Sequence, residues 1–380
     1  MAAAAITFMD RLAQLSPFIY RGDQAPHRSI TKARIDPSLD TIFVQAFYEC
    51  EQLTDVEVHE RVRRFESGAF YQCKSLTWFD FRPISTIGLG AFYQCTSLGD
   101  IEFGDKLEAI GMCAFEFCTN IRRIKIPGGM RFSIRDKAFG HCRNLTDVEI
   151  GKGLEEIRLQ AFDGCTSLRR MRLSSIKRIC CCAFRNCEHL LEFDAPVDLR
   201  NIEAHAFSGC TRLVRISIPL NVEISPRVFD RCERLSTAEL VGDIHENISL
   251  LGLREWQNAM NDEINSINLS LPTAIDKTMS IHQWLVTVQD KIDNYKLEHN
   301  KLLKESLLLL ELVLWKIKLD EMEKNMVEVP TKKAKIDCQS GEKETSMILT
   351  HDMRAQCRLE CNATVVIENV LPFLHRFKDE

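Results

Sequence analysis

Apolar residues recur along residues 42–240 in one unit that is written nine times. Each unit holds an adjacent Ala and Phe, a Cys four residues after the Ala, a Leu or Ile three further on, and then alternating apolar positions. Successive units start 22 to 24 residues apart, a period typical of solenoids, whose coils bury their apolar faces against neighbouring coils. The starting residues are Ala46, Ala69, Ala91, Ala114, Ala138, Ala161, Ala183, Ala206 and, with Val replacing Ala, Val228.

Within one unit, the spacing separates a strand from an arc. In the sixth unit, Leu168, Met171 and Leu173 end in alternation with a period of two, which predicts a short strand with one buried face. The segment from Ile157 to Cys165 has a turn-like spacing and predicts a short helical turn or an irregular arc. Stacked units therefore predict an α/β repeat solenoid in the form of an arc, with one parallel sheet of about nine strands.

After Leu240 the repeat is replaced by residues that favour helices. Apolar spacings of three and four over residues 249–270 predict a helix that covers the last coil. A second helical pattern runs from about Ser280 to Met326. His299 and Ser306 interrupt its apolar stripe, so three interpretations remain open: a coiled coil, packing on the first tail helix, and packing on a partner. The predicted domains are an N-terminal helix and cap (1–41), the nine-repeat solenoid (42–242), a helical C-terminal cap or tail (243–328), a charged linker (329–346) and a short C-terminal segment (347–380).

Cysteine accounts for 16 residues, and nine of them occupy the repeat position. In-register stacking directs each of these side chains into the coil as a small buried hydrophobe, so we predict a ladder of reduced thiols. No Cys-x-x-Cys pair occurs, and the sequence therefore offers no zinc site. In the run Cys180–Cys182, adjacent side chains cannot all point one way, so at most two of them could ligate or react. The repeat cysteines are Cys50, Cys73, Cys95, Cys118, Cys142, Cys165, Cys187, Cys210 and Cys232.

Charge and motifs narrow the classes of function. The net charge of -5 gives no general affinity for nucleic acid. The first twelve residues lack the features of a secretory signal, and Leu307–Leu319 is too short and too charged for a membrane span. The sequence contains no phosphate loop, no dinucleotide fingerprint, no Gly-x-Ser-x-Gly and no His-Glu-x-x-His. We expect an intracellular protein that is no enzyme and needs no cofactor.

The pattern Ala-Phe-x-x-Cys-x-x-Leu-x-x-Ile-x-Ile over residues 42–240 resembles the BspA-type class of leucine-rich repeats. The flanking segments also resemble a set of protist proteins in which such repeats follow a Tyr-Arg-Gly motif and precede a helical tail. That second resemblance is carried by Tyr20–Gly22, Trp256, Leu310–Lys316 and Val366–Leu374. The resemblance implies a leucine-rich-repeat horseshoe that recognises a protein partner without catalysis, and it brings no catalytic residues with it.

The outward strand positions form the face most available for recognition, and two interpretations of it stay open. Acidic and basic residues alternate from strand to strand after the third repeat, so cross-strand charge pairing that keeps the open sheet soluble explains the pattern. Alternatively, the first three strands, which are acidic and include Trp78, form a docking patch for a basic segment with an aromatic or apolar anchor. The candidate partner-binding residues are Asp55, Glu57, Trp78, Asp80, Asp100, Glu102, Arg123, Lys125, Arg170 and Arg172.

A second function remains open, namely a nuclear protein that associates with nucleic acid. It would use the basic strands around Arg123 and Arg170, although acidic strands between them would repel phosphate. Lys332, Lys333 and Lys335 follow a proline and resemble a short nuclear import signal. We therefore expect a cytoplasmic or nuclear location, one protein partner of unknown identity, and self-association through the helical tail as an open question.

Overall fold

Each repeat forms one coil of a solenoid, with an arc of turns, a short strand at the back and, in every coil but the one that contains residues 77–81, a strand at the front. The computed structural model describes residues 17–128, 131–242 and 254–327, with side chains up to 321. The predicted parallel-strand solenoid of about nine turns, followed by a long C-terminal helix, is confirmed. The predicted N-terminal helix over the first twelve residues, the charged linker and the C-terminal segment lie outside the described residues.

The front strands are parallel wherever they pair, and two of them precede the first predicted repeat. They are β1 (Phe18–Tyr20), β2 (Lys32–Ile35), β4 (Asp55–Glu57), β7 (Ile101–Glu102), β9 (Arg123–Ile126), β11 (Asp147–Ile150), β13 (Arg170–Leu173), β15 (Glu192–Asp194), β17 (Arg215–Pro219) and β19 (Thr237–Val241). Alternate residues are buried, as in β9, where Ile124 and Ile126 face inward and Arg123 and Lys125 face outward. The ladder is divided into three sheets, with breaks between β4 and β7 and between β13 and β15.

A second line of strands, each two residues long, runs along the back of the solenoid and was not predicted. A two-residue strand is too short to show an alternating pattern, so periodicity in the sequence cannot reveal it. The second residue of eight of these strands is an Ile, and in β5 it is a Phe. They are β3 (Thr41–Ile42), β5 (Arg64–Phe65), β6 (Thr86–Ile87), β8 (Ala109–Ile110), β10 (Ser133–Ile134), β12 (Glu156–Ile157), β14 (Arg178–Ile179), β16 (Asn201–Ile202) and β18 (Glu223–Ile224).

The arc of each coil is an irregular series of turns and not a helical turn. In all nine coils the residue before the repeat Ala and the residue before the repeat Cys have left-handed backbone angles, for example Gln160 and Gly164, with φ of 55° and 69°. Most of these residues carry side chains, for which such angles cost energy. The angles persist because hydrogen bonds to the neighbouring coil fix the backbone of the arc. The N–H of each repeat Phe, from Phe47 to Phe207, donates to a carbonyl of the next coil at 2.7–3.0 Å. The acceptor is the repeat Ala of that coil, or Val228 in the last coil.

The core is a column of phenyl rings beside a column of thiols. The repeat Phe side chains stack nearly parallel along the solenoid, from Phe47 to Phe229, with ring centroids 5.0–5.7 Å apart. All nine repeat cysteines are buried. From Cys73 onward, each Sγ donates a hydrogen bond to the carbonyl of the repeat Phe in the preceding coil, at 3.0–3.3 Å. The thiols are therefore both packed and hydrogen-bonded.

The tail contains the helix α1 (Arg254–Ser270), a 3₁₀ turn (Leu271–Thr273) and the helix α2 (Lys277–Val327). It is divided between two compact units, of which the first combines residues 1–245 with 261–289. Within that unit Thr278 Oγ1 accepts a hydrogen bond from Phe229 N at 3.0 Å, and Asn268 Oδ1 accepts one from Ala238 N at 2.8 Å. These side chains thus replace the next coil, which the last one lacks.

The second unit combines residues 246–260 with 290–380. Its described part holds the start of α1 and most of α2, and the indole of Trp256 stacks on the ring of Tyr295 with centroids 5.1 Å apart. The side chains of α2 from Leu302 onward are mostly exposed. The predicted domain boundaries stay predictions.

We expect Phe162→Ala to lower the free energy of unfolding by about 3–5 kcal/mol, because it removes one ring from the column and leaves a cavity. Urea denaturation followed by circular dichroism measures the change. Arg169→Ala, at an exposed position of the same coil, is the matched control and should change stability by less than about 0.5 kcal/mol. Equal effects of the two variants would show that the ring column does not hold the coils together.

We also expect the solenoid to lose stability in alkali. Burial raises the pKa of Cys50 to about 11 and of Cys232 to about 12, and that of Cys165 well above the ordinary value of 9.0. A raised thiol pKa favours the neutral form in the fold, so this stability is complete below about pH 8.5, where unfolded thiols begin to ionise, and falls as the pH rises further. Each thiol contributes a loss of about 1.4 kcal/mol per pH unit in that range.

Urea midpoints at pH 7.5, 8.5 and 9.5 under reducing conditions test this expectation. The midpoint should fall steeply between the last two values, and the Cys165→Ala variant should show a shallower fall because it has one buried thiol fewer. A midpoint that is unchanged from pH 7.5 to 9.5 would contradict it.

Candidate functional site

The outward side chains of the front strands form two rows, because neighbouring strands pair in register. Asp147 of β11 lies opposite Arg123 of β9 and Arg170 of β13. Glu149 likewise lies opposite Lys125 and Arg172. Residues of opposite charge therefore face one another across each of these strand pairs, which is favourable in a sheet.

Ion pairs follow from this register. Arg123 pairs with Asp100 at 2.9 Å, Lys125 with Glu102 at 3.1 Å, and Arg172 with Glu149 at 3.6 Å. Arg34 of β2 pairs with Glu57, and its hydrogen bond lowers the pKa of that carboxyl. These side chains are largely exposed, so each pair contributes little to stability. Their main effect is to neutralise the face, as the charge-pairing interpretation expects.

At Arg215 the pairing is more extensive. Its guanidinium lies 2.7 Å from Glu192, 2.8 Å from Asp194 and 3.2 Å from Glu239. The hydrogen bond that the guanidinium donates to Glu192 is the largest cause of the raised pKa of Arg215. The basic strands β9 and β13 are likewise flanked by acids, which leaves no continuous basic track for a phosphate backbone within the described front face.

The alternation fails at one coil, between β4 and β7. Trp78 occupies the outward position where a basic residue would continue the pattern, and its side chain is 63% exposed. Residues 77–81 form no strand. Within the described chain, a single backbone hydrogen bond joins residues 77–81 to a neighbouring coil. Gly99 N donates it to Thr77 O at 2.9 Å. Charge pairing and backbone pairing are thus interrupted at the same place.

The inward side chains explain this gap. Here both inward positions hold a buried Phe, Phe79 and Phe81, whereas each other coil has at most one, as at Phe103 and Phe193. The ring of Phe79 lies 5.1 Å from that of Phe65, edge to face, and the ring of Phe81 lies 5.5 Å from that of Phe103. Edge-to-face rings favour wider and more varied separations than the spacing of about 4.8 Å that a strand ladder requires. Packing of the rings therefore prevails over pairing of the backbone.

A shallow groove of about 560 Å³ opens beside Trp78. Seven of the ten candidate residues line it, whereas Asp55 and Glu57 on β4 and Arg170 on β13 do not. The seven are Trp78, Asp80, Asp100, Glu102, Arg123, Lys125 and Arg172. Arg82, Asp147 and Glu149 also line the groove but were not among the candidates.

The acids of the predicted patch have cationic partners in most cases. Arg82 forms two hydrogen bonds with Asp80, at 2.8 and 3.0 Å, and they lower the pKa of that carboxyl. Arg82 was missed because it lies two residues beyond the outward positions, and Arg34 was missed because β2 precedes the first recognised repeat. The alternating Lys32-Ala33-Arg34-Ile35 would have revealed that strand. Within the described residues, the side chain of Asp55 forms no ion pair and accepts no hydrogen bond.

Other predicted features can be placed only in part. Lys332, Lys333 and Lys335 lie outside the described residues. Over the described ranges, no group of three or more His, Cys, Asp or Glu side chains is placed to hold a metal ion. Among the helices that the structure describes, none is long and apolar enough to cross a membrane.

A family model for the BspA type leucine rich repeat region matches residues 25–132 and 132–249, more than half of the chain, with six copies. A leucine-rich repeat protein from Bacteroides ovatus is 26% identical, covers 53% of this chain and 58% of its own, and has a TM-score of 0.45. The T. pallidum leucine rich repeat protein is 29% identical over 37% of this chain and 65% of its own, with a TM-score of 0.34.

A leucine rich cell surface protein from Faecalibacterium prausnitzii is 22% identical over 56% of this chain and 61% of its own, with a TM-score of 0.34. The chain thus spans about three fifths of the solved structures that it matches. No protein of curated function matches the sequence.

Proposed function

Because the chain belongs to the BspA-type leucine-rich-repeat family, whose repeats generally serve as scaffolds for protein interactions, we propose that it binds a protein partner on its front face. The binding site is the groove beside Trp78. The repeat families it resembles are typically not enzymes, and we propose a non-catalytic role.

The observation that carries this proposal is the exposure of Trp78 where the ladder is interrupted. A largely exposed indole on a charged face has no role in the packing of its own coil, whereas tryptophan is enriched among residues that dominate binding energy. The Phe79 and Phe81 rings beneath it are buried, so the groove has a rigid floor. A rigid aromatic anchor lowers the entropy that binding must overcome.

The chemistry of the groove favours an extended basic segment with an apolar or aromatic side chain. A Lys or Arg of the partner could lie over the indole face and reach Asp55, which occupies the equivalent outward position in the preceding coil. The other acids of the predicted patch, Glu57, Asp80, Asp100 and Glu102, are paired, so attraction is local and a partner must place one cation there. An apolar side chain would cover the remainder of the indole.

A site-specific photo-crosslinking amino acid at Arg82, which lines the groove, tests this proposal in cells that express the full chain. We expect it to capture a protein, and the crosslinked peptide of that protein to contain Lys or Arg. Trp78→Ala in the same background should reduce capture roughly 30-fold, the change that corresponds to a loss of about 2 kcal/mol at an interface anchor. The same crosslinker at Val197, which is exposed elsewhere, should not capture that protein.

Leu191→Ala, another exposed apolar position, is the matched control for Trp78→Ala and should leave capture unchanged. Undiminished capture by Trp78→Ala would refute the groove as the binding site. A captured peptide rich in acids would refute its proposed chemistry. Capture that disappears on nuclease treatment would favour the alternative function in nucleic-acid association.

We also propose that the tail mediates self-association, because α2 carries apolar residues on all sides. Such a helix is stable in water only when other elements cover it. Nine apolar side chains between residues 302 and 319 are 37% to 65% exposed, which leaves this part of the helix without the cover that such a surface requires. They are Leu302, Leu303, Leu307, Leu308, Leu309, Leu312, Val313, Ile317 and Leu319.

Light scattering coupled to size-exclusion chromatography tests this second proposal. The full chain should elute with the mass of a dimer at micromolar concentration. The double variant Leu309→Glu and Val313→Glu should elute as a monomer, since it places charges within the apolar surface, while Lys304→Glu on the same helix should leave the dimer intact. A parent chain that is monomeric throughout the micromolar range would refute self-association.

The thiol ladder supports a reducing compartment as the location. All thirteen cysteines of the described residues are free, and unpaired cysteines are typical of proteins that stay inside the cell. We therefore propose an intracellular location, in the cytoplasm or the nucleus.

A further inference from the structure

Two neighbouring cysteines depart from the pattern of the other thiols. The nine repeat cysteines lie in the interior, and all but Cys50 donate to a backbone carbonyl. Cys181 and Cys182 lie outside that column, at the start of the arc of the seventh coil, and their Sγ atoms are 3.4 Å apart. No other pair of sulfur atoms is in such contact within the described chain.

The backbone of the arc places these thiols side by side. Adjacent side chains point in opposite directions along a strand. At Cys182, however, the chain takes the left-handed angle that every coil has before its repeat Ala, with φ of 56°. Cys182 N donates to Ala204 O at 3.1 Å, Cys181 N donates to Glu203 Oε2 at 3.0 Å, and Cys181 O accepts from Gln160 N at 3.2 Å. Both neighbouring coils therefore hold the two residues in place.

Within the described residues, the site offers two sulfur ligands and no third ligand. Cys181 is partly exposed, whereas Cys182 is 8% exposed, so a small reagent can approach from the Cys181 side. Zinc requires four ligands, and the described residues provide no third metal ligand around the pair. Two sulfur atoms bound to one central atom, with bonds of about 2.3 Å and a tetrahedral angle between the bonds, lie about 3.8 Å apart. A narrower angle between the two bonds brings the sulfur atoms closer, towards the 3.4 Å that separates the Sγ atoms of Cys181 and Cys182.

We infer that Cys181 and Cys182 form a dithiol site for a thiophilic, three-coordinate centre, and specifically for a trivalent arsenical with one organic substituent. The arsenic atom forms one bond to each sulfur and keeps its bond to carbon. Both thiol protons leave with the oxygen of the arsenical as one water molecule, so no oxidant or reductant takes part. Because the condensation consumes neutral thiols, it is compatible with the burial that raises the pKa of Cys182 to about 11.

The test uses phenylarsine oxide with the full chain, in a background where Cys338, Cys357 and Cys361 are changed to Ser. We expect one equivalent to bind, to protect both thiols from maleimide, and to map to a single peptide that contains residues 181 and 182. Cys181→Ser should lower the amount bound at least tenfold, and 2,3-dimercaptopropanol should release it. Cys113→Ser, at the position of an earlier coil that is equivalent to Cys182, is the control and should bind as the parent does.

Circular dichroism melts of each variant separate loss of the site from loss of the fold, and Cys181→Ser is preferred because Cys181 is the more exposed of the two. Equal binding by Cys181→Ser and the parent would overturn the inference. So would protection of thiols other than Cys181 and Cys182.

Discussion

The structure depends on one hydrogen bond that is repeated from coil to coil. The N–H of each repeat Phe donates it to the carbonyl of the repeat Ala, or of Val228, in the next coil. It fixes the separation of the coils on the arc, and the strand ladders fix it at the front and back. At that separation the phenyl rings stack, and each repeat thiol from Cys73 onward reaches the Phe carbonyl of the preceding coil. The left-handed angles of the arc are tolerated because this bond requires them. In the last coil Thr278 accepts the bond instead, so even the end of the solenoid obeys the same constraint.

A core built from identical rungs leaves the outward residues free to differ. Most of the front face uses this freedom to pair charges across strands, which gives solubility to an open sheet. The coil that contains Trp78 is different because its two inward Phe rings need more room than the ladder allows. The loss of ladder bonds, the groove and the exposed indole thus have one origin, the choice of aromatic side chains in the core. A recognition site could arise here without disturbing the arc, where Phe70 and Phe92 remain stacked.

The same constraint acts on the cysteines. Inside the column a thiol is packed, hydrogen-bonded and kept neutral by burial. At the start of an arc, where the chain turns left-handed, two consecutive thiols meet, one partly exposed and one buried. Chemical character therefore follows from the place of a cysteine in the coil, and residue type alone does not determine it.

The sequence by itself determined the solenoid, its period, the buried Phe, Cys and Leu positions and the long tail helix, because each depends on a local pattern that is repeated many times. The tertiary structure alone decided the two-residue back strands, the left-handed arc, the partners of Asp80 and Glu57, and the contact between Cys181 and Cys182. The back strands, the left-handed arc and the pairing of Glu57 with Arg34 depend on contacts between coils about 23 residues apart. Asp80 meets Arg82, and Cys181 meets Cys182, within one coil, through a backbone conformation that the periodic pattern does not show. Trp78 belongs partly to each group. The sequence predicted that its side chain faces outward, but the loss of strand pairing around it depends on the packing of Phe79 and Phe81, which only the tertiary structure shows.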